Sequence, residues 1–242
     1  MVTKRDAQGG RSPALAARTQ RSPWGVPVVL WGAMACGGGA ERAATPRHEP
    51  IAAVEEAGSL APDPSGVPPS RGGRDRVGQP APAWGPMEWL GTEPLTLEDL
   101  RGRVVLIRFW TDTCPFCRAT APALVELDED FRERGVTVIG MYHPKPRGSE
   151  RSREAVAEVI AGWGWRFPVA LDRDWRALDA FWLAHAPRDY TSVSFVLDRQ
   201  GVIRYVHPGP ELHPGGPPEH EQCRRDYAEI REVLERLLAE PA

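Results

Sequence analysis

Residues 104–118 read Val-Val-Leu-Ile-Arg-Phe-Trp-Thr-Asp-Thr-Cys-Pro-Phe-Cys-Arg. The first seven form an apolar, β-branched run of the kind that makes a buried strand. Two cysteines separated by two residues follow at once. Residues 119–134 then place Leu124, Leu127 and Phe131 at helical spacing, and Gly135 stops the run. The predicted unit is strand, cysteine pair, helix. It puts Cys114 just before the helix and Cys117 in its first turn, with Pro115 where a missing N–H costs nothing. Unpaired backbone N–H groups and the positive end of the helix dipole favour a thiolate there. Cys114, at the open end, is therefore the expected attacking thiolate, and Cys117 the thiol that resolves a mixed disulfide. A zinc half-site would need a second ligand pair at similar spacing, and the chain has none. An inert structural disulfide is the remaining alternative.

Outward from this unit, residues 136–142 predict a second buried strand, 149–163 a helix and 175–185 another. Residues 192–197 and 202–206 flank Asp198-Arg199-Gln200-Gly201, a hairpin signal. Residues 84–90 and 95–100 read as a short strand and a turn-rich lead-in. Tyr227, Ile230, Val233, Leu234, Leu237 and Leu238 give a last amphipathic helix. The expected class is α/β, a mixed central sheet covered by helices on both faces.

Thirty Lys+Arg against 33 Asp+Glu leave a formal charge of −3, so bulk charge predicts no nucleic-acid partner. Residues 1–35 read as a signal peptide: basic residues, an apolar stretch too short and interrupted to span a bilayer, then small residues. Ala33-Met34-Ala35-Cys36 with three glycines after it resembles a bacterial lipoprotein processing site, which makes Cys36 the expected lipidated residue. Residues 36–78, rich in Ala, Pro, Gly, Arg and Glu, are expected to be a disordered tether, and 79–242 the folded domain. The expected location is the periplasmic side of a bacterial membrane, held by that lipid anchor.

Val104–Trp110, the run from Cys114 to Arg118, Pro122 and the segment from Asp198 to Ile203 together resemble the thioredoxin superfamily, within it the membrane-anchored TlpA/ResA-like branch. The resemblance covers about residues 79–207. It implies a thioredoxin-like fold and a thiol-disulfide oxidoreductase, expected as a monomer, that exchanges disulfides with exported thiol or disulfide proteins and with a membrane or periplasmic redox partner. It implies no cofactor beyond the redox-active pair Cys114 and Cys117. Trp110, Arg108, Pro115, Phe116, Thr191 and Ser192 become the expected surroundings of that pair.

Three positions depart from the family pattern. Thr120 stands where a glutamate is usual, and Arg108 where cytoplasmic thioredoxins bury an aspartate. Ser192 holds the place of the cis-proline that faces the cysteines. Because a non-proline cis bond costs about 2.5–4 kcal/mol, the expectation is a trans Thr191–Ser192 bond with the Ser192 side chain close to the sulfurs. Asp112 and His143 are further candidates near the site. His207, His213, His220 and Cys223 match no metal motif by spacing and read as incidental, with no metal site assigned. Two other functions fit the residues less well. A peroxiredoxin-like peroxidase would use Cys114 with Thr111 and Arg108, and a copper-delivery module would use Cys114, Cys117 and a histidine.

Overall fold

A computed structural model of the chain describes residues 72–188 and 190–241. The expected signal peptide, Cys36 and the tether as far as residue 71 lie outside the described residues. A six-stranded mixed sheet runs β1 (Glu88–Leu90), β4 (Val169–Leu171), β3 (Val136–Tyr142), β2 (Val104–Trp110), β5 (Ser194–Leu197), β6 (Ile203–His207) in spatial order. β2 and β3 are parallel, as are β3 and β4, while β1, β5 and β6 pair antiparallel to their neighbours. β2 is central, and all seven of its residues are buried, which is why its sequence shows no polar alternation.

Pleating sends alternate residues of β2 to opposite faces. Val104, Leu106 and Trp110 meet Leu124, Leu127 and Phe131 of α1 (Pro115–Phe131), Val156 of α2 (Arg153–Gly162) and Ile230, Val233, Leu234 and Leu237 of α4 (Glu221–Ala239). Val105, Ile107 and Phe109 meet Leu178, Phe181 and Trp182 on the opposite face. Each such large side chain contributes about 1.5–3 kcal/mol on burial.

The chain joins the domain earlier than its composition suggests. Residues 72–78, assigned above to the tether, form turns against β6: Gly78 donates to the Ile203 carbonyl at 2.7 Å, and the buried Arg76 donates through Nε to the Phe181 carbonyl at 3.2 Å. Hydrogen bonds and one buried guanidinium hold a segment that carries hardly any large apolar residue.

Other boundaries move for local reasons. α2 begins at Arg153 rather than 149 because the Ser152 side chain accepts from the Ala155 N–H at 3.1 Å and sets the N-cap there. The predicted helix over 175–185 is one short turn, α3 (Arg176–Leu178), followed by a π-helical turn over Asp179–Leu183. Asp172 caps α3 by accepting from the N–H groups of Ala177 and Leu178 at 3.1 and 2.9 Å. The wide turn lets Phe181 and Trp182 both reach the sheet. β4 was not foreseen, since three residues are too few to show a period.

Candidate active site

α1 starts at the carboxyl end of β2, and Cys114 is its N-cap residue, extended at φ −89° and ψ 117°. Its Sγ accepts the Cys117 backbone N–H at 3.3 Å. Pro115 occupies the first helical turn, as the sequence predicts. Cys117 is 2% exposed and packs with Trp110 in the core beneath α1. Cys114 is half-buried at the surface.

Ser192 closes the other side. Its Oγ lies 3.6 Å from Cys114 Sγ and 3.1 Å from Cys117 Sγ. Among the described residues the one cis peptide is Lys145–Pro146, so the Thr191–Ser192 bond is trans. Arg108 is 1% exposed and on the α1 face of β2; its guanidinium donates to Ser194 Oγ at 3.2 Å and to the Pro210 carbonyl at 2.6 Å. Burial lowers its pKa, and the neighbouring Cys117, Cys114 and Glu211 act against that lowering. An arginine so placed stays charged. It is a cation under the sulfurs.

These surroundings split the two thiols. The hydrogen bond from Cys117, the backbone N–H groups of Cys117 and Phe116, and Ser192 bring Cys114 down to about 5, against the opposing effect of burial. Cys117 is pushed up, first because it gives its proton to Cys114 and second because it is buried; Arg108 pulls the other way. The resulting state is one half-buried, accessible thiolate hydrogen-bonded to one buried thiol.

Trp110 is wholly buried and meets Tyr142, Trp163 and Trp165 at ring centroid distances of 5.0, 4.9 and 4.9 Å. The bare Cα of Gly140 permits this: an added Cβ would stand 2.9 Å from Trp165 and 3.0 Å from Trp110. The cluster is an apolar floor behind Cys117. Asp112 is paired to Arg151 at 2.8 Å and accepts from the Tyr142 hydroxyl at 3.2 Å, so its carboxylate is engaged away from the sulfurs. His143 is fully buried against Trp175, and burial pushes it down to about 3, so it is neutral.

Outside the pair, a groove of about 600 Å³ is lined by Cys114, Phe116, Lys145, Tyr190, Thr191 and Pro210, among others. Phe116 and Tyr190 are the exposed large apolar side chains among the described residues. Sequence reasoning missed Tyr190, Lys145 and the part played by Thr120. The buried Thr120 hydroxyl accepts the Leu212 N–H at 3.2 Å, tying the loop after β6 to α1. That loop also brings donor atoms of Glu211, His213, His220 and Cys223 within 4.8 Å of one another. His207 stands apart and contacts Asp226 at 3.1 Å.

The profile described as the AhpC/TSA family matches residues 77–206, more than half of the chain. The chain is 32% identical over 121 residues to Protein DipZ of Mycobacterium tuberculosis, covering 49% of this chain but 16% of DipZ. It is 28% identical over 136 residues to the thioredoxin-like protein YneN of Bacillus subtilis, covering 54% of this chain and 71% of YneN. Among solved structures, a thiol-disulfide isomerase from Corynebacterium glutamicum aligns with a TM-score of 0.52 and 27% identity, covering 66% of this chain and 98% of that one.

Proposed function

Because the chain belongs to the AhpC/TSA family of thioredoxin-like proteins, we propose that it is a thiol-disulfide oxidoreductase working through Cys114 and Cys117. The observation that carries this is the split between the two sulfurs: an accessible thiolate at a helix N-terminus and a buried thiol that serves it.

The geometry supports a two-step exchange. Cys114 Sγ⁻ attacks a substrate disulfide, forming a mixed disulfide and expelling one substrate thiolate, which takes up a proton. The hydrogen bond to Cys114 is the largest influence holding Cys117 protonated, and it disappears once Cys114 is in the mixed disulfide. Arg108 then favours the Cys117 thiolate. Cys117 attacks Cys114 Sγ, its proton passes to the departing second substrate sulfur, which leaves as a thiol, and two electrons have passed from the pair to the substrate. The reverse sequence oxidises a dithiol. As proposed, the exchange in either direction uses only the two cysteines and the substrate sulfurs.

Phe116 and Tyr190 beside Cys114 suit an extended, partly apolar protein segment as the substrate. The proposed setting is the periplasmic side of a membrane, with Cys36 carrying the lipid; no helix among the described residues is long and apolar enough to cross a membrane. The test is Cys117→Ser in an exported background. Mixed disulfides with protein partners should accumulate and vanish when Cys114→Ser is added. Absence of such adducts, with rapid peroxide consumption instead, would replace this reading by the peroxidase.

A further inference from the structure

We propose that Glu211, His213, His220 and Cys223 form a zinc site that clips the loop between β6 and α4 onto the start of α4. It is separate from the thiol pair and goes beyond the disulfide chemistry above. His213 Nε2 lies 2.9 Å from Glu211 Oε1 and 2.9 Å from His220 Nδ1, and those two atoms are 3.7 Å apart. All four donor atoms, Cys223 Sγ included, fall within 4.8 Å of one another.

The donor geometry fits a cation. His213 Nδ1 faces the Gly215 carbonyl at 2.8 Å. A carbonyl only accepts, so Nδ1 carries the proton and Nε2 presents a lone pair to a carboxylate oxygen. A ring nitrogen facing a carboxylate oxygen and a second ring nitrogen at that distance is an arrangement that one shared cation satisfies. Four ligand atoms converging on one point match a metal. Two neutral imidazoles, one carboxylate and one thiolate balance a divalent charge, and that mixture of N, S and O ligands suits zinc. Zinc bonds of about 2.0–2.3 Å place tetrahedral ligand atoms roughly 3.3–3.8 Å apart, inside the range the donors already span.

The chain builds the cluster from two short pieces. Leu212 is buried in the core and anchored through its N–H to Thr120, so Glu211 and His213 leave on the other side. His220 and Cys223 are three apart at the start of α4 and share a side of the helix. Gly216 crosses over the rings at φ +93°, where a Cβ would come within 2.7 Å of His213 and 3.2 Å of His220. Side chains of Glu211 and His213 are only 12% and 13% exposed. Since Pro210 in the same loop holds Arg108 and lines the groove, the ion would also fix one wall of the thiol site.

The experiment uses the full chain with Cys36, Cys114 and Cys117 changed to serine, leaving Cys223 as the one thiol. Stripped of metal and dialysed against zinc chloride, it should retain one equivalent. Cobalt(II) should give tetrahedral ligand-field bands with a thiolate charge-transfer band that Cys223→Ser removes. His213→Ala and His220→Ala should each weaken zinc binding about a hundredfold or more. Where a variant unfolds, zinc protection of Cys223 from iodoacetamide in the parent chain, at least tenfold, reads the same contact. No stoichiometric zinc, unchanged alkylation, or binding that survives loss of both histidines would overturn the site and leave His213 hydrogen-bonded to Glu211; each of these outcomes leaves the reading of Cys114 and Cys117 standing, because the Cys117→Ser trap tests that reading separately.

Discussion

Single residues set the chemistry here, and three of them have separable effects. Cys114 at about 5 should react with iodoacetamide at a rate that is half-maximal near pH 5 and flat through neutrality. Ser192→Ala removes one of the hydrogen bonds that lower it and should move the inflection upward by up to about one pH unit, the scale of one charge-assisted bond. An unchanged inflection would show that the hydroxyl contributes nothing to the thiolate. The sign for stability follows from the same depression. Cys114 stabilises the reduced fold fully above its unfolded-state pKa, and that contribution fades as pH falls toward about 5. Arg108 favours thiolates, which exist only in the reduced state, so Arg108→Met should make the couple more reducing by about 30 mV or more. A potential that stays level or rises, measured by equilibration with glutathione, would remove Arg108 from the account.

At the scale of elements, Thr120 links α1 to the loop after β6 through the Leu212 N–H. Thr120→Val keeps the shape but strands a buried donor, so urea denaturation should show a loss of about 1–3 kcal/mol; no loss would mean that Leu212 finds another acceptor. β2, α1 and β3 were legible in the sequence because an unbroken apolar run and a 3.6-residue period survive within each. β4 was illegible at three residues, and the segment after Trp175 was mistaken for a plain helix because its apolar positions fit one. The left-handed Trp175 and the π turn that break it have no signature of their own. The position of Ser192 followed from the family resemblance, which put it where a cis-proline faces the cysteines. The cluster of Glu211, His213, His220 and Cys223 did not, because its two halves meet only when the loop folds back on α4.

At the scale of the molecule, the described domain follows an N-terminal stretch that lies outside the described residues. If Cys36 carries the anchoring lipid, Cys36→Ala should shift the protein from the membrane fraction to the soluble fraction; continued membrane association would point to another anchor. Inside the domain, the sheet, α1 and the loop after β6 together present one accessible sulfur above one protected one. That asymmetry is tested most directly by trapping the reduced chain with limiting alkylating agent at neutral pH and locating the label by mass spectrometry. The account predicts modification of Cys114 before Cys117 by at least about a hundredfold, as the accessible thiolate fraction requires. Equal labelling of the two cysteines, or Cys117 first, would contradict it.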